Sequence, residues 1–218
     1  MAEPLARLYL ITPFLDEVEA FAPRLAEACA AGRVDAVLVR LAGADERGIV
    51  NRIKALGPAA QDHGAALVVA AEQAVGDLAT IATRAGADGV HVSGYDGRLR
   101  DLRERLRGER ALGVGGLRTK DDAMTAGEAG ADYLLFGEPR ADGSLPPLET
   151  VIDRVAWWAE IFETPCVAYA PRLEDVPALA ATNAEFIALA DAVWTYPDGP
   201  AAAVRVALDA LASTETVR

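Results

Sequence analysis

The chain has only two cysteines, Cys29 and Cys166, among 218 residues. Two thiols cannot form the disulfide framework of a small secreted domain, and both lie in apolar stretches, so they read as buried and inert. Histidine is equally scarce, with His63 and His91 alone. That leaves no Ser/His/Asp or Cys/His arrangement and no zinc-ligand spacing. Positive charge is also short: 21 Lys and Arg stand against 33 Asp and Glu, a net charge of −12. Such a balance argues against non-specific binding to nucleic acid or an anionic membrane, and no basic patch with interleaved aromatics appears. There is no long apolar run and no leader-like pattern at the start, so the expected location is the cytoplasm.

What the chain does have is a junction that recurs. Ala85-Gly86-Ala87-Asp88-Gly89-Val90-His91-Val92 contains a helix end, a glycine suited to a left-handed cap, and a short apolar strand. The pattern returns 44 residues later as Ala129-Gly130-Ala131-Asp132-Tyr133-Leu134-Leu135-Phe136, with a weaker echo at Thr182-Asn183-Ala184-Glu185-Phe186-Ile187. A repeated helix-to-strand junction means one unit stacked several times.

Taken in order, eight apolar strands alternate with helices. Strands are expected at 8–12, 35–41, 65–71, 89–92, 111–114, 133–136, 166–169 and 186–189. Asp16 is expected to cap the first helix, which ends near Gly32. The second, from about Asp45 to His63, should break or fray near Gly57-Pro58, with His63 in a capping role. Later helices are expected at 74–85, 99–106, 120–129, 148–161 and 174–181, and a last one, opened by Pro197-Asp198-Gly199-Pro200, at about 200–211. Strands with continuous apolar runs, each followed by a helix, are parallel and covered outside. Eight such units in this length predict an α/β fold, a single (β/α)8 TIM barrel over residues 1–218, frayed after about residue 213. A doubly wound sheet usually carries a glycine-rich loop after its first strand; Thr12-Pro13-Phe14-Leu15 has no glycine.

In such barrels chemistry sits where strands end. Strand two ends in Arg40, and strand four in His91, Ser93 and Asp96. Arg118 follows strand five, Glu138 and Arg140 strand six, Tyr169 and Arg172 strand seven, Asp191 and Trp194 strand eight. Guanidinium suits a bidentate grip on phosphate or carboxylate, so Arg40, Arg118, Arg140 and Arg172 together suggest a mouth for a small anionic or phosphorylated ligand. His91 is either a site residue or a barrel-lining histidine held by hydrogen bonds. Asp96 either holds Mg2+ with help from ligand phosphates, Glu72 being the nearest second carboxylate, or caps the fourth helix. Gly113-Val114-Gly115-Gly116 could admit a ligand close to the backbone. A second copy of the chain is a further candidate partner.

Three stretches carry a resemblance: Leu8-Tyr9-Leu10-Ile11-Thr12, Ala87-Asp88-Gly89-Val90-His91-Val92 followed by Asp96, and Ala131-Asp132-Tyr133-Leu134-Leu135-Phe136-Gly137. In order and spacing they resemble the thiamine phosphate synthase and TenI family over nearly the whole chain. The resemblance implies a (β/α)8 barrel that joins hydroxymethylpyrimidine diphosphate to a thiazole phosphate, releasing diphosphate, with Mg2+. It carries over Arg40 and gives Asp96 a metal-binding role; on a synthase reading Arg40 and His91 would be catalytic, and Gly137 with Arg118, Arg140 and Arg172, as substitutes for lost donors, would contact the ligand. The mouth departs from the family pattern elsewhere. Leu38-Val39-Arg40-Leu41-Ala42 stands where the family has Gln-Leu-Arg-Glu-Lys, and Ala70-Ala71 where it has Asn-Asp. Gly115 replaces a diphosphate-contacting serine. The loop Ala141-Asp142-Gly143-Ser144 has no lysine, Tyr169-Ala170-Pro171 replaces a Gly-Gly phosphate turn, and Ala192-Val193-Trp194 offers no match for the strand-eight serine. The histidine of the thiazole tautomerase branch is also missing, with Leu117 near its place. Three readings follow: a synthase-like transferase with an altered site, a non-catalytic binding barrel of the same descent, and a barrel enzyme for another phosphorylated metabolite held near Gly199.

Overall fold

The computed structural model describes residues 6–71, 77–94 and 97–215. Eight parallel strands, β1 (Arg7–Leu15), β2 (Ala36–Leu41), β3 (Ala66–Ala71), β4 (Gly89–Ser93), β5 (Ala111–Gly115), β6 (Tyr133–Phe136), β7 (Cys166–Ala170) and β8 (Phe186–Leu189), close into a barrel in sequence order, β8 pairing with β1. Helices α1 (Ala22–Ala30), α2 (Glu46–Gln61), α3 (Leu78–Ala85), α4 (Leu99–Leu106), α5 (Lys120–Glu128), α6 (Leu148–Ile161), α7 (Val176–Ala180), α8 (Asp191–Trp194) and α9 (Pro200–Glu215) connect or follow them. This is the expected (β/α)8 barrel. No helix among the described residues is long and apolar enough to cross a membrane.

Alternation along each strand divides the apolar residues into two cores. One face, including Leu8, Leu10, Val37, Val39, Val90, Leu112 and Leu134, packs under the helices. The other fills the lumen with Tyr9, Ile11, Leu38, Val68, Tyr133, Leu135, Val167 and Tyr169. Gly113 is a packing device: a Cβ there would overlap the Tyr133 ring and hydroxyl. A large side chain from β6 thus fits only because its neighbour on β5 has none.

The recurring junction has a physical purpose. Gly86, Gly130 and Asn183 adopt left-handed φ values of 78°, 94° and 67°, a region glycine enters freely and asparagine tolerates. Two residues on, an acid precedes each of β4, β6 and β8. Asp88 accepts the Leu67 N–H at 2.7 Å, Asp132 the Leu112 N–H at 2.7 Å, and Glu185 the Cys166 N–H at 2.8 Å. Each carboxylate clasps the start of the preceding odd strand, satisfying a backbone donor at the lower rim.

Several boundaries differ from expectation. Asp16 does not cap α1; the helix begins only at Ala22, with Phe21 as N-cap and Pro23 in its first turn, while Asp16 lies 3.8 Å from Arg52. α2 runs unbroken through Pro58, because Ile49, Ile53, Leu56, Ala59 and Ala60 bury one continuous face on both sides of it. Asp45 caps its start by accepting the Gly48 N–H, and its last cap is Asp62, so His63 lies just beyond, exposed. α3 begins at Leu78, capped by Asp77. A 3-10 turn, Leu173–Asp175, precedes a shorter α7, and α8 was not expected at all. The last helix continues to Glu215, past the point where fraying was expected. Cys29 and Cys166 are buried, and burial pushes the Cys29 thiol up to about 12 and Cys166 higher still.

Candidate functional site

Polar side chains from five strands line the lumen and run up to the C-terminal end of the barrel. The first is positioned by an irregularity in β1. Ile11 pairs with Leu38 and Phe14 with Arg40, so β1 spends one residue more than β2 over the same span. Thr12-Pro13 forms this bulge, and Pro13 has no N–H to contribute to the ladder. The fully buried Thr12 takes over: its Oγ1 accepts the Arg40 N–H at 3.0 Å, and its carbonyl accepts from Arg40 Nε at 2.6 Å. The guanidinium also lies 4.6 Å from the centre of the Phe14 ring. Arg40 is therefore held by backbone, side chain and ring.

Across the lumen runs a chain of hydroxyl and imidazole. Tyr9 Oη and Tyr133 Oη are 2.8 Å apart, and Tyr133 Oη lies 3.0 Å from His91 Nδ1. Burial, then the Arg40 charge, lowers the His91 pKa to about 4, so the ring is neutral near neutrality. Burial raises the phenols of Tyr9, Tyr133 and Tyr169 as well. His91 thus lines the barrel and is held by a hydrogen bond, with its second nitrogen facing the β5 end.

There it meets Glu138. The loop after β6 carries this carboxyl over Gly115, and its Oε1 accepts the Gly116 N–H. A Cβ at Gly115 would overlap Glu138 Oε1 and come within 2.8 Å of His91 Nε2. The space left by Gly115 is taken by the chain itself. Burial raises Glu138 to about 7, against the opposing pull of its backbone hydrogen bonds and of Arg40. The site thus holds a neutral imidazole and, on the other side of Gly115, a carboxyl poised near neutrality. Among the described residues, no buried side-chain polar atom lacks a hydrogen-bond partner.

The expected convergence of four arginines reduces to Arg40 in this cluster. Arg118, Arg140 and Arg172 stand exposed on the rim. The backbone of Arg118 bonds Asp122 and Arg154; Arg140 donates to Ser144 Oγ at 3.3 Å; Arg172 forms a two-pronged pair with Asp175 at 2.8 and 3.1 Å. Gly137, at φ 95°, is wedged against α6, where a Cβ would come within 2.8 Å of Val151. Trp194 is buried, donating from Nε1 to the Ile11 carbonyl at 2.6 Å. Asp96 and Glu72 lie outside the described residues. The described ends of β3 and β4 contribute Ala70, Ala71 and Ser93, and no group of three His, Cys, Asp or Glu side chains among the described residues could hold a metal.

Glu138, Tyr133 and Thr12 are site residues to which the sequence alone assigns no role. Glu138 was visible as a carboxylate after strand six. Tyr133 and Thr12 looked like ordinary members of apolar strands.

Residues 8–193 match the family described as Thiamine monophosphate synthase. The chain belongs to this thiamine monophosphate synthase family. Among its family relatives, the thiamine-phosphate synthase of Rhodospirillum centenum is 38% identical over 200 residues, 91% of this chain and 94% of that protein. The thiamine-phosphate synthase of Hyphomonas neptunium is 34% identical over 213 residues, covering 93% and 92%. Solved structures show the same fold: thiamine phosphate pyrophosphorylase from Pyrococcus furiosus superposes with a TM-score of 0.77 at 22% identity, covering 96% of each chain. A 3-hexulose-6-phosphate synthase superposes at 0.72 and 19% identity, covering 93% and 99%. The family membership gives the chain a role in thiamine metabolism.

Proposed function

We propose that this family member acts as a thiamine-phosphate-synthase-like protein that binds a phosphorylated pyrimidine or thiazole-type ligand at the C-terminal mouth of its barrel, through a grip rebuilt around Arg40. The carrying observation is that Arg40, Glu138 and Tyr169 act on one another past the strand ends, with His91 and Tyr133 lining the lumen and Arg40 fixed by the Thr12 bulge. A guanidinium held in advance loses little freedom when it meets a phosphate. The acidic surface and the lack of a crossing helix among the described residues agree with a cytoplasmic protein whose partner is a small molecule.

Isothermal titration with thiamine phosphate and inorganic diphosphate, with and without Mg2+, tests the reading. Binding is expected, and Arg40→Ala should weaken it by about tenfold to a hundredfold, the worth of a charged hydrogen bond. Titrations without heat for any of these ligands would remove the proposal.

A second reading, binding without synthesis, draws support from Glu138. Its carboxyl sits on the Gly116 amide, beside the position where Gly115 replaces a serine. Complementation separates the two. A synthase restores thiamine-free growth to a strain lacking its own enzyme, whereas a binder leaves that strain auxotrophic while ligand still raises its melting temperature.

A further inference from the structure

The end of β5 has the features of an anion cradle. Gly115 leaves room for an oxygen where a Cβ would stand, Gly116 turns at φ 69°, and the Gly116 N–H points at that oxygen. Backbone amides in such turns and a nearby guanidinium are the usual partners of phosphate and sulfate. The oxygen in the cradle, however, belongs to Glu138. The carboxyl reaches it only because Gly115 has no side chain, and it lies in the field of Arg40 from β2.

We propose that Glu138 is an internal competitor for the ligand's anionic group: in the free protein its carboxylate holds the Gly116 amide, and a tetrahedral dianion binds by displacing it. This rests on the reading that the mouth takes an anion, and adds how entry is controlled. The displaced carboxyl loses the amide and finds a second negative charge beside it. Both changes favour its neutral form, so binding takes up a proton. The proton comes from solvent and stays on Glu138; no covalent bond to the ligand forms.

The other groups facing Glu138 do not titrate in the same window. Arg40 from β2 remains charged. His91 from β4 is neutral well above pH 4, and the phenols of Tyr9 from β1, Tyr133 from β6 and Tyr169 from β7 are all raised by burial. Asp191, at the start of α8, faces Tyr169. Glu138, raised to about 7, is the group among these that changes charge near neutrality.

Inorganic sulfate is the probe, because its own charge is constant from pH 6 to 8.5. Its affinity for the full chain is measured by amide chemical-shift titration, reading the Gly116 and Arg40 resonances, for the wild type and Glu138→Gln. Wild-type affinity is expected to fall about tenfold per pH unit above pH 7, while Glu138→Gln stays flat. The variant should bind about tenfold more tightly at pH 8 and within about twofold at pH 6. Calorimetry of the wild type in buffers of different ionisation enthalpy should show nearly one proton taken up at pH 8, a result that needs no variant to fold. Equal affinities with parallel pH dependence, or no proton uptake, overturn the competitor and leave the ligand-binding reading standing. Failure of both proteins to bind sulfate or phosphate at tens of millimolar overturns both.

Discussion

Glu138 and His91 are displaced from their ordinary titration ranges in opposite directions, and the signs can be followed. In the fold Glu138 keeps its proton up to about pH 7, whereas its ordinary value is 4.5. Between these values the unfolded chain binds fewer protons, so this residue makes stability fall as pH rises. His91 stays neutral in the fold down to about pH 4 against an ordinary value of 6.5. Over that span the unfolded chain binds more protons, so stability rises with pH. The two contributions largely cancel between about pH 4.5 and 6.5. Melting curves by circular dichroism should show Glu138→Gln gaining stability with pH across about 4 to 6.5, and His91→Asn losing it across about 4.5 to 7. Parallel curves for the two variants would contradict the opposed shifts. Tyr133 joins this pair to Tyr9. Removing its hydroxyl in Tyr133→Phe leaves buried polar atoms on both neighbours, and should cost roughly 1 to 3 kcal/mol in urea unfolding.

At the scale of elements, α2 holds Pro58 in its interior on an exposed position. Proline there removes one N–H and crowds the carbonyl a turn earlier. Pro58→Ala is therefore expected to stabilise the protein by roughly 1 to 3 kcal/mol, read as a higher urea midpoint. The proline was legible in the sequence as a break; the burial that overrides it was not, because that depends on what α2 packs against. The order of the eight strands was legible, the short α8 and the 3-10 turn before α7 were not, and α4, α6, β6 and β8 fall where their apolar spacing puts them. The mouth was harder to read. Arg40, Arg118, Arg140 and Arg172 are equivalent in the sequence, each just past a strand, since sequence gives position along the rim and not the direction of a side chain. The bulge that fixes Arg40 depends on register between β1 and β2, which no local pattern records. The polar role of Tyr133 depends on Gly113 opposite, a pairing across 20 residues of chain.

The molecule as a whole is held differently at its two ends. The upper end spends irregular backbone and buried ionisable groups on a site. The lower end repeats one clasp, in which Asp88, Asp132 and Glu185 each tie an even strand to the odd strand before it. Asp132→Ala should free the Leu112 amide, speed its hydrogen exchange, and lower stability by roughly 1 to 3 kcal/mol. A change confined to distant amides would show that the clasp carries nothing. Because each clasp closes within a strand–helix–strand unit, the barrel divides into modules, and its connections are not equivalent. A circular permutant opened at Arg107-Gly108, between two units, keeps every clasp inside one continuous stretch. One opened at Gly86-Ala87 severs a unit and leaves Asp88 to find β3 from the far end of the chain. The first should melt close to the parent and the second well below it. Duplicating the chain in these strand pairs would carry each of the three clasps whole, where copying single strands would cut them.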